Sequence, residues 1–123
     1  MSVPDLAPLD IQLVRHKAFL KEIDVNLGEF LKLRNFKKSS EWGNEMTNAI
    51  SFKNHECSIS VERDRGIWAL RIYKNVQGKD HSISIEDAIA KILKQENGYG
   101  FSLSEWFSFW KTNYEKILNL LDS

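Results

Sequence analysis

One cysteine, Cys57, is too few for an internal disulfide, so this chain of 123 residues is no disulfide-stapled scaffold and suits a reducing compartment. It also lacks a charge excess. Lys+Arg and Asp+Glu number 17 each, giving a net charge of zero. Non-specific nucleic-acid binding needs a basic field to release counterions, and adsorption to anionic lipid needs a basic patch, so neither is expected. No apolar run approaches the ~18 residues that span a bilayer. The first twenty residues carry Asp5, Asp10, Arg15, His16 and Lys17, which leaves no apolar segment for a signal peptide. A soluble, cytoplasmic protein with no membrane partner is the expectation.

The motifs of familiar chemistry are missing too. The three histidines, His16, His55 and His81, form no i,i+4 pair, and there is no Cys-x-x-Cys, so no metal site is expected. His55 and Cys57 are the single pair with ligand-like or nucleophile-like spacing. Strand alternation instead points Cys57 inward as a small buried hydrophobe. Asn97-Gly98-Tyr99-Gly100 has two glycines but neither the Lys-Ser/Thr of a P-loop nor a preceding strand, and reads as a link between helices. No pair of carboxylates is forced together by spacing. The expectation is a protein without catalytic residues, metal or cofactor.

What is present is a hydrophobic pattern. A composition of 42% hydrophobic and 28% charged residues is that of a globular chain, and a length of 123 suits a single domain with a core of its own. Residues 1–7 read as an extended, disordered arm. From 9 to about 34, Leu13, His16, Leu20, Ile23, Leu27 and Leu31 recur at helical steps, with a kink or a break expected near Asp24–Gly28. Phe36–Trp42 alternates as a first, exposed strand, with Lys38 and Trp42 expected on one side. Met46–Phe52 alternates as a second. Cys57–Tyr73 is the clearest signal: Cys57, Ile59 and Val61, then Trp68, Leu70 and Ile72, alternate with polar residues around Asp64-Arg65-Gly66. This is a β-hairpin with one greasy face. Asn75–Asp80 reads as a polar loop. Ser84 and Ser102 each begin a capping-box pattern, opening one helix to about Gln95 and a last helix with Trp106, Phe107, Trp110, Tyr114, Ile117, Leu118 and Leu121 on its stripe.

The predicted fold is therefore α+β: an N-terminal helix, a four-stranded antiparallel meander, and two C-terminal helices packed on one sheet face. Such a sheet needs that cover, because a single apolar face is not stable in water. The residues left free to meet a partner are the hairpin tip Glu62, Arg63, Asp64 and Arg65, and the outward Arg71, Tyr73 and Tyr99.

This order of elements, with Leu33-Arg34-Asn35-Phe36 closing the first helix, Phe52-Lys53-Asn54, and the hairpin Ile59-Ser60-Val61-Glu62-Arg63-Asp64-Arg65-Gly66, resembles small bacterial immunity proteins of contact-dependent and other polymorphic toxin systems. The resemblance implies a protein that binds a cognate toxin domain and blocks it, with no chemistry of its own. Zero net charge does not fit an acidic, nucleic-acid-mimicking mode. The alternative is a small ligand-binding domain or enzyme with a pocket between sheet and helices. A weaker one is a nucleic-acid binder stacking bases on Trp42 beside Lys37 and Lys38.

Overall fold

The computed structural model describes residues 8–96 and 100–122. The expected arm at 1–7, and Asn97, Gly98 and Tyr99, lie outside the described residues. The element order is α1 (Pro8–Leu33), β1 (Lys37–Gly43), β2 (Thr47–Lys53), β3 (Ser58–Asp64), β4 (Ile67–Val76), β5 (Lys79–Ser84), α2 (Ile85–Leu93), α3 (Leu103–Thr112) and α4 (Tyr114–Asp122). The α+β class and the antiparallel meander agree with the sequence. The sheet has five strands rather than four, in the order β1-β2-β3-β4-β5, and three helices rather than two follow it.

Helix α1 runs unbroken through Gly28, where the Asp24 carboxylate fills the space a side chain would take; a Cβ there would lie 2.5 Å from Asp24 Oδ1. Its buried stripe is Phe19, Ile23, Leu27 and Leu31, whereas Leu13 is exposed. The helix stops in a Schellman motif. Asn35 takes φ 61°, Phe36 N–H donates to Leu31 O at 2.9 Å, and Asn35 N–H donates to Lys32 O at 3.1 Å. Asparagine tolerates this left-handed position, and Phe36 then packs back on Phe30, the apolar contact that accompanies such caps. Phe36 is thereby a core residue and not part of the first strand.

The β3–β4 hairpin is as the alternation predicts. Cys57, Ile59, Val61, Leu70 and Ile72 are buried and Trp68 packs partly buried against them. Asp64 pairs with Ile67, and the two-residue turn Arg65-Gly66 has φ 51° and 81°, the double positive φ that matches strand twist. Gln77-Gly78 (φ 52° and 83°) repeats this turn, so the segment expected to be a loop is a second hairpin joining β4 to β5. Strand β5 escapes the alternation because it buries one large apolar side chain, Ile83.

All buried strand side chains lie on one face: Asn48 and Ile50 of β2, Ile59 and Val61 of β3, Leu70 and Ile72 of β4, and Ile83 of β5. The helices cover that face alone. Ser84 caps α2 by accepting from Asp87 N–H at 3.2 Å. Ser102 and Glu105 form a reciprocal capping box on α3, and the bond from the Ser102 backbone N–H holds the Glu105 carboxyl below its usual range. The long last helix expected from the stripe is interrupted at Asn113, whose side-chain Nδ2 donates to Phe109 O at 3.0 Å beside its own backbone N–H. The stripe still holds across the break: Phe107, Trp110, Tyr114, Ile117, Leu118 and Leu121 are all buried. No helix of the described residues is long and apolar enough to cross a membrane.

Candidate protein-binding face

The second face of the sheet carries no helix. Reading across the register, Trp42, Ala49, Glu62 and Ala69 form one row; Ser51, Ser60, Arg71 and Ser84 the next; Lys53, Ser58, Tyr73 and Ser82 the third. None of these residues is buried. Period-2 alternation dictates this: once the helices claim the Ile/Val/Leu set, the intervening positions must face out, and here most are serine or alanine. The result is a flat platform of short side chains from which Trp42 (52% exposed) and Tyr73 (38% exposed) stand up. Near its centre is a shallow depression of about 260 Å³, walled by Glu62, Arg71, Tyr73 and Glu86 over Ser60, Ala69 and Ser84. Arg71 is steadied there by donating from Nη1 to Ser82 Oγ at 2.9 Å.

The seven expected partner residues are thus divided. Glu62, Arg71 and Tyr73 come together in this depression. Asp64 faces the same side but is occupied, its Oδ1 accepting from Thr47 Oγ1 at 2.7 Å. Arg65 is exposed at the turn. Tyr99 is outside the described residues. Arg63 is not a free tip residue: it pairs in register with Asn48 and Trp68 on the helix side. There its Nη2 donates to Asn48 Oδ1 and to the Arg15 carbonyl, each at 2.9 Å, and its guanidinium centre lies 5.6 Å from both the Phe19 and Trp68 ring centroids.

That bond orders a polar chain which the sequence reading missed. Asn48 is 3% exposed, and with its oxygen bonded to Arg63 its Nδ2 faces His16 Nδ1 at 3.1 Å. His16 Nδ1 must then accept, so the ring proton sits on Nε2 and is donated to Glu41 Oε2 at 2.8 Å. Lys38 Nζ donates to Glu41 Oε1 at 3.0 Å. Hydrogen bonds from His16 first, and from Lys38, hold the Glu41 carboxyl below its ordinary value of 4.5. Lys38 and Glu41 share a face because a bulge shifts the β1–β2 register between Lys38 and Ser40. The same bulge places Lys38 and Trp42 on opposite faces, against the expectation of one. A signal for this network was present: an asparagine at an inward position of β2, between the β1–β2 turn and Ile50.

The other candidates resolve structurally. Cys57 is buried with Sγ 3.6 Å from the Tyr114 hydroxyl, and burial pushes its thiol up to about 11. His55 is solvent-exposed and does not share its face. Among the described residues no three His, Cys, Asp or Glu side chains gather as metal ligands would. Between α1 and the β1–β2 pair lies a groove of about 360 Å³ with an apolar lining that includes Leu20, Ile23, Leu31, Ile50 and Phe52, bordered by Lys38 and Glu41. Compared with family models, with curated proteins and with solved structures, the chain matches none.

Proposed function

We propose that this chain is a cytoplasmic bacterial immunity protein that binds a cognate toxin domain and blocks it, contributing contact rather than chemistry. The observation that carries the reading is the uncovered sheet face. A platform of serine and alanine lets another protein approach the strands closely. Trp42 and Tyr73 are the rigid amphipathic side chains that dominate contact energy at interfaces, and the mixed charges of Glu62, Arg71 and Glu86 set orientation and exclude wrong partners. The test is binding to the toxin domain encoded next to this chain's gene. Nanomolar co-purification and rescue of growth are expected, with Arg71→Glu and Tyr73→Ala weakening the complex about tenfold or more. Absence of any such complex, or binding indifferent to both substitutions, counts against it.

A second reading, a small ligand-binding domain or enzyme, draws on the groove between α1 and β2, whose apolar lining has the character of ligand sites. It requires a small molecule whose binding is lost on Ile50→Trp and unaffected by Tyr73→Ala.

A further inference from the structure

On the helix side of the sheet, where α1 meets the β1–β2 and β3–β4 turns, a cleft of about 540 Å³ is lined by Arg15, Arg63 and Arg65 with Asn48, Met46 and Gly66; Glu45 is the one acidic residue in its wall. Three guanidiniums line it; Arg65 Nη1 lies 4.0 Å from Asp64 Oδ2 at the rim, so Glu45 and Asp64 together leave one guanidinium in excess, in a chain whose total charge is zero. Elsewhere Lys38 is paired with Glu41, Arg34 with Glu115 and Lys74 with Asp122. Arg15 and Arg63 have no carboxylate partner among the described residues. Each is instead fixed by neutral acceptors: Arg15 Nη1 donates to Glu45 O at 2.7 Å, and Arg63 Nη2 to Arg15 O and Asn48 Oδ1. Those bonds orient the guanidiniums without neutralising them. The Phe19 and Trp68 rings hold Arg63 further, and among the described residues no protein acceptor takes the hydrogens on its Nε and Nη1.

We propose that this cleft is an oxyanion site that takes the phosphate group of a small phosphorylated molecule. The planar guanidinium fork matches phosphate oxygens in pairs, and a phosphate can accept from Arg15 and Arg63, which no carboxylate neutralises, and from Arg65, whose pairing with Asp64 is long and exposed. Arg63 is the fixed anchor, and the exposed Arg15 and Arg65 close on the ligand from either side. At Gly66 a Cβ would meet nothing within 4 Å, so the wall is open there for the remainder of the ligand to leave the cleft. The site faces away from the Glu62–Arg71–Tyr73 depression and does not depend on the toxin reading.

The experiment is calorimetric titration of the whole protein with inorganic phosphate, pyrophosphate, acetate and succinate in low salt. Saturable one-to-one binding of phosphate or pyrophosphate is expected, about tenfold or more tighter than either carboxylate. Arg15→Gln and Arg65→Asn should each weaken it by about tenfold; both side chains are exposed, and asparagine suits the positive φ at 65, so the fold is kept. Arg63→Met should abolish binding. Equal affinity in an Arg15→Gln/Arg65→Asn double variant would overturn the proposal. So would tighter binding of acetate or succinate than of phosphate, which would give the cleft to a carboxylate ligand.

Discussion

Arg63 Nη2 lies 2.9 Å from Asn48 Oδ1, and this bond decides which end of a buried amide faces His16. A residue at the tip of an exposed hairpin is thereby part of the interior. Its charge is kept near the surface while its donors hold together β2, β3 and the carbonyl of Arg15 on α1.

Replacing Asn48 tests that linkage. Asn48→Ala removes the acceptor for Arg63 and the donor for His16 at a site that is 3% exposed. A loss of roughly 1–3 kcal/mol in urea unfolding is expected, the cost of leaving buried polar partners unsatisfied. A change near zero would mean that water replaces the amide without penalty.

Two glycines should respond with opposite signs. A Cβ on Gly43 would sit 2.8 Å from His16 Nδ1 and 3.0 Å from Asn48 Nδ2, where the buried amide has little room to yield. Gly43→Ala is therefore destabilising. A Cβ on Gly28 meets only the Asp24 carboxylate, the end of an exposed and flexible side chain. Gly28→Ala should stabilise by about 0.5–1 kcal/mol, because alanine loses less entropy in a helix interior. Thermal melts of the two variants on either side of the parent are the check.

The tryptophans separate core from contact. Trp110 is buried, its ring centroid 5.5 Å from Phe30 and 6.4 Å from Phe36. Trp110→Ala should cost roughly 3–5 kcal/mol. Its Nε1–H is buried with no acceptor among the described residues, so Trp110→Phe, which removes that donor along with some volume, should cost much less. Trp42→Ala, on the open face, should change stability by less than about 0.5 kcal/mol while reducing partner affinity.

Acid should act through Glu41. Its carboxyl titrates below 4.5 because His16 and Lys38 donate to the ionised form; Asp24 and Lys32 line the same groove. A depressed carboxyl contributes stability above its unfolded value and loses it as pH falls through the lower folded value. The parent should thus lose stability below about pH 4.5 more steeply than Glu41→Gln, with the two curves converging at the acid end. Because the Glu41 side chain is still 28% exposed and solvent screens its pairs, the difference is small, and parallel curves across this range would deny it any role.

Local pattern was enough for much of the fold. Alternation from Ile59 to Ile72 set the central hairpin and its buried face, and Ser84 and Ser102 marked two helix starts, because these signals depend on neighbours two to four residues away. Strand β5 and the break at Asn113 were not legible: one carries a single large buried apolar residue, and the other depends on how Asn113 bonds Phe109. The outward-facing set was half legible. The strand period alone points Glu62, Arg71 and Tyr73 outward. Whether that face stays open, and whether Arg63 turns inward, rests on where the helices pack. The sequence by itself determined which residues alternate and which helices they call for. Only the tertiary structure decided that all four helices lie on one side, that a bulge at Ser39 brings Lys38 to Glu41, and that His16, Asn48 and Arg63, separated by 15 residues or more, meet in one chain of hydrogen bonds. Such contacts are set by packing between elements distant in sequence, where periodicity carries no information.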